Sequence, residues 1–312
     1  MNKLGLIVPC YNEEAVIPYA LEQLDLLFGN LINDGIIAND SFMVFIDDGS
    51  HDSTWSIISD KKLTHEHVAG IRFSRNFGHQ NALLAGLEYC SERCDFNICI
   101  DADLQHDISK IPQFIEAYNR GSDIVLGIKQ ERKNDSFFKK FSAQTYYQFL
   151  KLMGVNIYYN HADFRLLSNK STIELLKFEE ANLFLRGIIP MLGFKTEFIH
   201  YTVKERVAGD SKYSMRKMLS LAWKGITSTT IAPLRFFSVL GGGIFLFSVM
   251  QGLYVFYKYF KGDVIPGWAS TVIPIYFIGG IQLISLGVIG EYIGKIYLET
   301  KKRPKYIISN QL

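Results

Sequence analysis

The chain has 312 residues, enough for one large domain and an appendage, with a net charge of +2 and 21% charged residues. This charge balance excludes the strong basic field of a nucleic-acid-binding protein, and we expect no nucleic acid among its partners. The four cysteines, Cys10, Cys90, Cys94 and Cys99, form no C-x-x-C pair and lack zinc-ligand spacing, which predicts reduced, buried thiols. The first apolar run is too short for a signal peptide, so the N-terminal part is expected in the cytoplasm.

Strand-like and helix-like segments alternate through the first half of the chain. Short apolar runs typical of buried parallel strands are Leu4–Val8, Phe42–Ile46, Val68–Phe73, Phe96–Ile100 and Asp123–Gly127. Helical periodicity fills the intervals, in Glu13–Phe28, Ser53–Lys62, Asn76–Cys90 and Ile111–Asn119. The alternation predicts an α/β domain with a mostly parallel, helix-covered sheet.

The composition changes after about residue 209. Tyr213–Trp223 mixes apolar and basic residues, which predicts an amphipathic helix lying on anionic lipid, with an ordinary surface helix as the alternative. Two stretches without charge follow, Phe236–Tyr257 and Trp268–Ile289. At about 1.5 Å per residue, each can cross a hydrocarbon core of about 30 Å. We expect a transmembrane hairpin; buried core helices are the alternative.

Basic residues are more frequent on the outer flanks of the two stretches than in the short link Lys258–Gly267. The positive-inside rule therefore places both flanks, and both termini, in the cytoplasm. Glycines at 241–243 and 279–280 would allow close helix approach, and we expect a homo-oligomer. The predicted divisions are a first domain over 1–210, a juxtamembrane segment over 211–232, the hairpin over 233–294 and a basic tail over 295–312.

Acidic residues follow the predicted strands at the sheet edge where open α/β sheets bind ligands. Asp101-Ala102-Asp103 closes the fourth apolar run, and two carboxylates so spaced can share Mg²⁺ or Mn²⁺ while leaving positions for phosphate oxygens. A solvated turn is the alternative. Asp47 and Asp48 end the second run, where either can accept from a base or ribose or can cap the turn that follows.

A basic set and one isolated acid complete the candidate chemistry. Arginine and lysine would contact phosphate oxygens, or would form a solvated basic face. Asp163 stands in an acid-poor stretch, either as a general base or in a structural ion pair with Arg165. The basic residues are Arg132, Lys133, Lys139, Lys140, Arg206, Lys212 and Arg216.

The whole chain resembles the bacterial polyprenyl-phosphate glycosyltransferases, specifically the bactoprenol glucosyltransferases of O-antigen modification. These are relatives of dolichyl-phosphate mannose synthase within the inverting GT-A enzymes of family 2. The strings that carry the resemblance are VPCYNEE, FIDDGSHDST, FSRNFGHQNALLAGL, DADLQ, ADFRLL, FLRGIIPMLGFK, ERVAGDSKYS and GEYIGKIYLETKKRPKYII. His106-Asp107 departs from the D-P that relatives often have after DADLQ. The Q-x-x-R-W signature of processive synthases is absent, which favours transfer of a single sugar.

The resemblance implies roles for individual residues. Asp163 would be the catalytic base, and Mg²⁺ or Mn²⁺ would be held by Asp101, Asp103 and Gln105. Positions expected to contact the nucleotide sugar are Pro9, Tyr11, Glu13, Phe45, Asp47, Asp101, Ala102, Arg132, Arg206 and Lys212.

The resemblance also implies the reaction. We expect inverting transfer of one hexose, glucose from UDP-glucose in the first instance, to undecaprenyl phosphate at a bacterial inner membrane, for modification of a cell-envelope glycan. UDP-N-acetylglucosamine is an alternative donor, because a few pocket side chains decide the sugar. A membrane-tethered nucleotidyltransferase or phosphohydrolase, and a non-catalytic subunit that binds sugar nucleotides, are the alternatives of other classes.

Overall fold

The computed structural model describes residues 1–130, 158, 161–180, 184–202, 232–261 and 267–312. One sheet of eight strands, in the order β7-β5-β6-β4-β1-β2-β3-β8, organises these residues. Its strands are β1 Leu4–Cys10, β2 Phe42–Asp47, β3 Val68–Phe73, β4 Phe96–Cys99, β5 Ile124–Lys129, β6 His161–Ser168, β7 Thr196–Tyr201 and β8 Ile308–Gln311. The α-helices of the described residues are α1 Ile17–Asn33, α2 Thr54–Thr64, α3 His79–Ser91, α4 Ile111–Asn119, α5 Asn169–Leu176, α6 Leu185–Ile188, α7 Ala232–Phe260 and α8 Trp268–Thr300.

The sheet confirms the predicted α/β architecture. Strands β1 to β4 pair in parallel, and each of the five predicted apolar runs forms a strand. The antiparallel strand β6 lies between β4 and β5, so its first residues lie at the same sheet edge as the carboxyl end of β4. Strand β8 pairs antiparallel with β3 at one border of the sheet. Neither of these reversed strands is predicted by the sequence pattern above.

Helices cover the sheet on both faces, because successive strand residues point to opposite sides. Leu4, Leu6 and Val8 of β1 pack with α1 and α4. Ile7 points to the other side and packs with α3. Two buried layers of this kind are what a strand of continuous apolar residues requires, since neither of its faces meets water.

Helix α3 lies unusually close to strand β1. A Cβ atom on Gly86 would lie 2.2 Å from Cγ2 of Ile7, so only glycine permits this approach. The helix begins at His79, directly after a loop that follows β3. Close packing at Gly86 thus fixes the N-terminus of α3, and with it His79, relative to the strand ends.

Helices α7 and α8 are long and apolar enough to cross a membrane. Their apolar windows, Pro233–Gln251 and Phe277–Thr300, have mean hydropathies of 1.6 and 1.4, and only 6% of each window is buried within the protein. Such exposure of apolar side chains is unfavourable in water and is expected of lipid-facing helices. Both helices extend beyond the predicted stretches, and α8 continues to Thr300. Of the predicted juxtamembrane segment, 211–231 lies outside the described residues.

Candidate active site

The carboxyl ends of β1, β2 and β4 meet the first residues of β6 at one sheet edge. In the parallel register, Cys10 lies opposite Asp47, and Ile7 lies opposite Cys99. In the antiparallel register, Cys99 lies opposite Arg165, so Asp163, two residues earlier in β6, lies beside the segment after β4. The topology therefore brings together acids that are far apart in the chain.

The loops after β1 and β2 are bonded to each other. The backbone N–H of Asn12 donates to Ser50 Oγ over 2.9 Å, and that of Glu13 donates to Thr54 Oγ1 over 2.9 Å. Gly49 lies between the strand and these contacts with φ of 69°, and a Cβ there would lie 2.4 Å from the Arg75 carbonyl carbon. Glycine thus permits both the turn after β2 and its close approach to the segment that follows β3.

Asp47 is fully buried at the end of β2 and is held from two sides. Its Oδ1 accepts from the Ser50 N–H at 2.9 Å, and its Oδ2 lies 3.3 Å from Arg72 Nε. The Oδ2 atom is buried and accepts no hydrogen bond from the described residues. A buried carboxylate oxygen lacking such a bond is costly, which makes this atom a candidate acceptor for a ligand N–H or O–H.

Asp48 organises the loop before α3. Its carboxylate accepts from the backbone N–H groups of Phe77 at 2.6 Å and Gly78 at 2.9 Å. Burial raises the pKa of Asp48 above its ordinary value, while these two bonds act against that shift. Of the two acids that the sequence leaves open, Asp48 therefore caps the loop, and Asp47 keeps an oxygen available.

Asp101 and Asp103 follow β4 with Ala102 buried between them. The backbone N–H of Asp101 donates to His106 Nδ1 over 3.3 Å, and His106 Nε2 lies 3.5 Å from Asp101 Oδ2. Burial lowers the pKa of His106, so its ring is neutral and, because Nδ1 accepts, carries its proton on Nε2. Asp103 Oδ1 accepts from the N–H of Gln105 at 3.1 Å, which closes the turn.

Asp163 lies at the centre of a cationic cluster. Its Oδ1 accepts from Arg165 at 2.8 Å, its Oδ2 accepts from Arg186 at 2.7 Å, and His79 Nε2 is 3.4 Å from Oδ2. The ion pair with Arg165, one of the two roles open for Asp163, is thus present. Burial by itself would raise the pKa of Asp163, but the hydrogen bond with His79 and the two guanidinium charges outweigh it and hold the pKa well below its usual range.

His79 joins this cluster to the acids after β4. Its Nε2 is 3.7 Å from Asp101 Oδ1, an oxygen that is buried and accepts no hydrogen bond from the described residues. Burial would lower the pKa of His79, but the Asp163 hydrogen bond and the Asp101 charge outweigh it, and the pKa is raised. One ligand atom from each of His79, Asp101 and Asp163 lies within 4.8 Å of the other two.

The remaining sequence-predicted residues lie near the carboxyl ends of β1 and β2 or outside the described ranges. Tyr11 is exposed beside the β1 end, whereas the Phe45 ring is part of the hydrophobic core, two residues before Asp47. Pro9 is buried within β1, and Glu13 lies in the interlocked loop. Predicted residues outside the described ranges are Arg132, Arg206 and Lys212.

Four further residues belong to the site although their chemistry is not singled out from the sequence. His79 and Arg186 lie within strings that carry the resemblance, and Arg72 directly precedes one of them, but spacing alone does not show that they reach the acids. His106 directly follows the DADLQ string, and its buried ring contacts both the backbone N–H and the carboxylate of Asp101.

The sequence profile described as "Glycosyl transferase family 2" matches residues 6–176, more than half of the chain. The chain belongs to glycosyl transferase family 2. Its fold is GT-A, as expected, and it is a glycosyltransferase. A second profile, "GtrB C-terminal hairpin", matches residues 232–296, the two apolar helices.

Relatives of this glycosyltransferase match it over nearly its whole length. "Uncharacterized glycosyltransferase YkoT" of Bacillus subtilis is 47% identical over 309 residues, covering 99% of this chain and 92% of that protein. "Prophage bactoprenol glucosyl transferase homolog" of Escherichia coli is 38% identical over 310 residues, with 98% of both chains covered. "Bactoprenol glucosyl transferase" of Shigella phage SfV is 38% identical over 313 residues, with 99% of both covered.

Proposed function

We propose that this glycosyltransferase moves one hexose, glucose from UDP-glucose, onto undecaprenyl phosphate with inversion at the anomeric carbon. The observation that carries the proposal is the meeting of Asp47, the Asp101 segment and the cationic Asp163 cluster at one sheet edge. Relatives named bactoprenol glucosyl transferase, similar over the whole chain, support the glucose and the polyprenyl phosphate.

The donor would lie across the ends of β1, β2 and β4. Asp47 Oδ2, which accepts no hydrogen bond within the described part of the chain, offers an acceptor to an N–H of the base or an O–H of the ribose. The predicted nucleoside contacts Pro9, Tyr11 and Glu13 lie on the adjoining strand and loop. In this position the diphosphate would point towards Asp101 and Asp103, two strands away.

The acids after β4 fit a hard divalent cation, Mg²⁺ or Mn²⁺. Asp101 Oδ1 is buried without a hydrogen bond from the described residues, and carboxylate oxygens are the ligands that such cations prefer. Asp101 and Asp103 would hold the cation with Gln105, whereas Asp163 is less suited because its oxygens already accept from two arginines. When bound, the cation would neutralise charge on the diphosphate leaving group.

The acceptor needs orientation more than it needs a base. A phosphate monoester has a second pKa of about 6, so most of it is dianionic near neutral pH and is already a nucleophile. The strongly lowered pKa of Asp163 makes this carboxylate a weak proton acceptor. Asp163 would therefore act in catalysis by holding Arg186 and His79 in place beside the reacting groups. Arg132, Arg206 and Lys212 are proposed to add charge around the phosphates.

In-line geometry gives the inverted product. A phosphate oxygen of the acceptor attacks the anomeric carbon from the face opposite the diphosphate; the new C–O bond forms as the bond to the leaving nucleoside diphosphate breaks. The electron pair goes to the leaving diphosphate, whose charge the site must stabilise. No water is needed as a nucleophile, which distinguishes this reaction from that of a phosphohydrolase.

Helices α7 and α8 would hold the enzyme in the bacterial inner membrane, with both termini cytoplasmic. Their apolar, exposed windows fit lipid contact. A homo-oligomer formed through the glycine-containing helices remains part of the proposal.

Mass spectrometry of the lipid product, with the full-length enzyme in proteoliposomes and a panel of nucleotide sugars, tests the proposed function. We expect glucosyl undecaprenyl phosphate and release of UDP only when lipid phosphate is present. An N-acetylhexosamine product would change the donor but keep the reaction. Nucleotide release without lipid phosphate would indicate a hydrolase, and binding without any product would indicate a non-catalytic subunit.

A further inference from the structure

The chain returns to the catalytic sheet directly after the second apolar helix. Helix α8 ends at Thr300, and Lys302 takes a left-handed conformation with φ of 45°, which turns the chain sharply. Strand β8 begins only eight residues after the helix end, at Ile308. We name Lys301–Leu312 the strap.

Two side chains of the strap contact a strand, a helix and a connecting segment of the catalytic domain. The ring of Tyr306 stacks on Phe73 of β3, with centroids 4.8 Å apart and an angle of 14° between the planes. Its hydroxyl donates to Glu88 of α3. Lys305 Nζ donates to the carbonyl of Phe178, two residues after α5, over 3.2 Å. The strap is thus attached by side chains before its strand begins.

The strand of the strap completes the sheet at β3. The N–H of Leu312 donates to the Gly70 carbonyl over 2.8 Å, and the N–H of Ser74 donates to the Ile307 carbonyl over 2.9 Å. Ser309 Oγ donates to the Arg72 carbonyl over 3.1 Å. Without the strap these groups of β3 would lie on an open sheet edge.

The same strand β3 carries Arg72, which lies against the candidate nucleoside acceptor. Its Nε is 3.3 Å from Asp47 Oδ2, and its terminal nitrogen donates to the Ser50 carbonyl over 3.1 Å. Asn310 of the strap is the register partner of Arg72. The strap, which follows helix α8, is therefore paired with strand β3, and β3 carries the arginine that contacts the candidate nucleoside acceptor Asp47.

We propose that the strap positions the catalytic domain on the membrane hairpin, with Tyr306 as its main positioning residue, so that the active site stands at a fixed height above the lipid phosphate. This inference rests on the proposed function. Six residue steps from Thr300 to Tyr306 can span about 20 Å at most, so the attached domain has little freedom to move away from the helix end. The pairing of β8 with β3 stabilises that edge of the sheet. The short segment between Thr300 and Tyr306 sets the distance between the catalytic domain and the bilayer.

A flexible insertion separates these two contributions. Six Gly-Ser residues placed between Lys302 and Arg303 keep every strap contact described above but add a segment with an end-to-end distance of about 13 Å. The matched control carries the same six residues between Lys261 and Gly262, in the link between α7 and α8. Full-length variants are reconstituted in proteoliposomes and offered undecaprenyl phosphate in the bilayer or farnesyl phosphate from solution.

We expect the strap insertion to lower transfer to undecaprenyl phosphate about tenfold, because misplacement of the reacting groups is costly, and to leave transfer to farnesyl phosphate and UDP affinity unchanged. The control insertion should leave all three unchanged. Tyr306→Ala should show the same dependence on the acceptor, with Tyr306→Phe retaining most activity through the Phe73 stack.

Equal rates for the strap insertion and the control on the bilayer acceptor would overturn the inference. Equal losses on both acceptors would also overturn it, since they would indicate a damaged domain. Absence of transfer to either acceptor by the unmodified enzyme would instead refute the proposed function.

Discussion

Asp163 and Arg186 are joined by two contacts, 2.7 Å between Oδ2 and the terminal guanidinium nitrogen and 3.3 Å between Oδ1 and Nε. The carboxylate is 7% exposed and the arginine side chain 40% exposed. Asp163 therefore holds the guanidinium of a side chain that remains partly exposed, and the same carboxylate lies 3.4 Å from His79 Nε2. The buried Asp163 carboxylate thus holds the partly exposed Arg186 guanidinium, and this cation can approach a phosphate group.

Arg186→Lys should lower kcat about tenfold while keeping UDP affinity within about twofold, because lysine keeps the charge but loses the two-point contact with Asp163. Steady-state rates and calorimetric UDP titration would measure both quantities. Arg120→Lys is the matched control, since Arg120 forms exposed pairs with Glu116 and Glu197 at the opposite end of the sheet. A loss of UDP affinity with unchanged kcat would place Arg186 at the donor instead.

Asp163→Asn should lower the rate of the chemical step with donor binding retained, and high pH should restore the rate only in part. The substitution also leaves Arg165, which is fully buried, without its charged partner. Removing one member of a buried pair costs on the order of 3 kcal/mol, so the melting temperature should fall as well. Single-turnover kinetics and thermal denaturation measure the two effects.

A double variant separates catalysis from stability at this position. Asp163→Asn with Arg165→Met removes both buried charges and should recover much of the lost stability, but not the rate. In the parent enzyme the pKa of Asp163 is lowered, so its stabilising contribution is present above the unfolded-state pKa of about 3.9 and is lost as the pH falls through the lower folded value. A decline of the Asp163 contribution to stability between pH 7 and pH 5 would contradict the lowered pKa. Donor affinity lost with kcat unchanged in Asp163→Asn would contradict its proposed role in the chemical step.

Asp103→Asn should nearly abolish transfer while the fold remains intact. Asparagine can still accept the Gln105 N–H through Oδ1, the bond that closes the turn, but a cation would lose a charged ligand. Transfer should also stop in EDTA and return with Mg²⁺ or Mn²⁺. Mn²⁺ binding followed by electron paramagnetic resonance should be weakened in the variant. Full activity in EDTA would refute the proposed metal requirement.

Asp47→Asn should weaken UDP binding about tenfold, because the substituted amide removes the charge next to Arg72 and offers a donor where the ligand is expected to donate. Asp40→Asn is a suitable control, since Asp40 is exposed and pairs with Lys3 at the amino ends of β1 and β2, away from the carboxyl ends that form the site. Calorimetry with UDP tests both variants. Equal affinities would remove Asp47 from the proposed nucleoside site.

Much of the sheet can be predicted because five of its strands coincide with short apolar runs, two of which lead into acids. Leu4–Cys10 and Phe42–Asp47 are buried along their lengths, and that pattern is visible without a structure. Strand β6 is harder to predict because His161, Asp163 and Arg165 place three polar side chains on one face of a buried strand. The sequence offers the Asp163–Arg165 pair as one alternative, but the contacts of Asp163 with His79 and Arg186 cannot be derived from local sequence.

The acids of the site are predictable, whereas their partners are not. Asp47, Asp101 and Asp103 follow apolar runs, so topology alone places them at one edge. His79 reaches Asp163 because Gly86 lets α3 approach β1, and Arg186 reaches it through a short helix in another part of the chain. Strand β8 is four exposed residues with no apolar alternation, and only its pairing with β3 reveals it.

The topology of the hairpin gives the last prediction. Asp263→Cys, in the link between α7 and α8, should react with a membrane-impermeant thiol reagent on intact cells, and Gln311→Cys, exposed in β8, should react only after the cells are opened. The background should be low, because Cys10, Cys90, Cys94 and Cys99 are all buried. Burial also raises the pKa of Cys10 and of Cys99, the latter to about 11, which keeps these thiols protonated and unreactive at neutral pH.

Since β8 is part of the catalytic sheet, the accessibility of Gln311→Cys reports the side on which the active site lies. Labelling of Gln311→Cys but not of Asp263→Cys on intact cells would reverse the orientation and exclude a cytoplasmic supply of the nucleotide sugar.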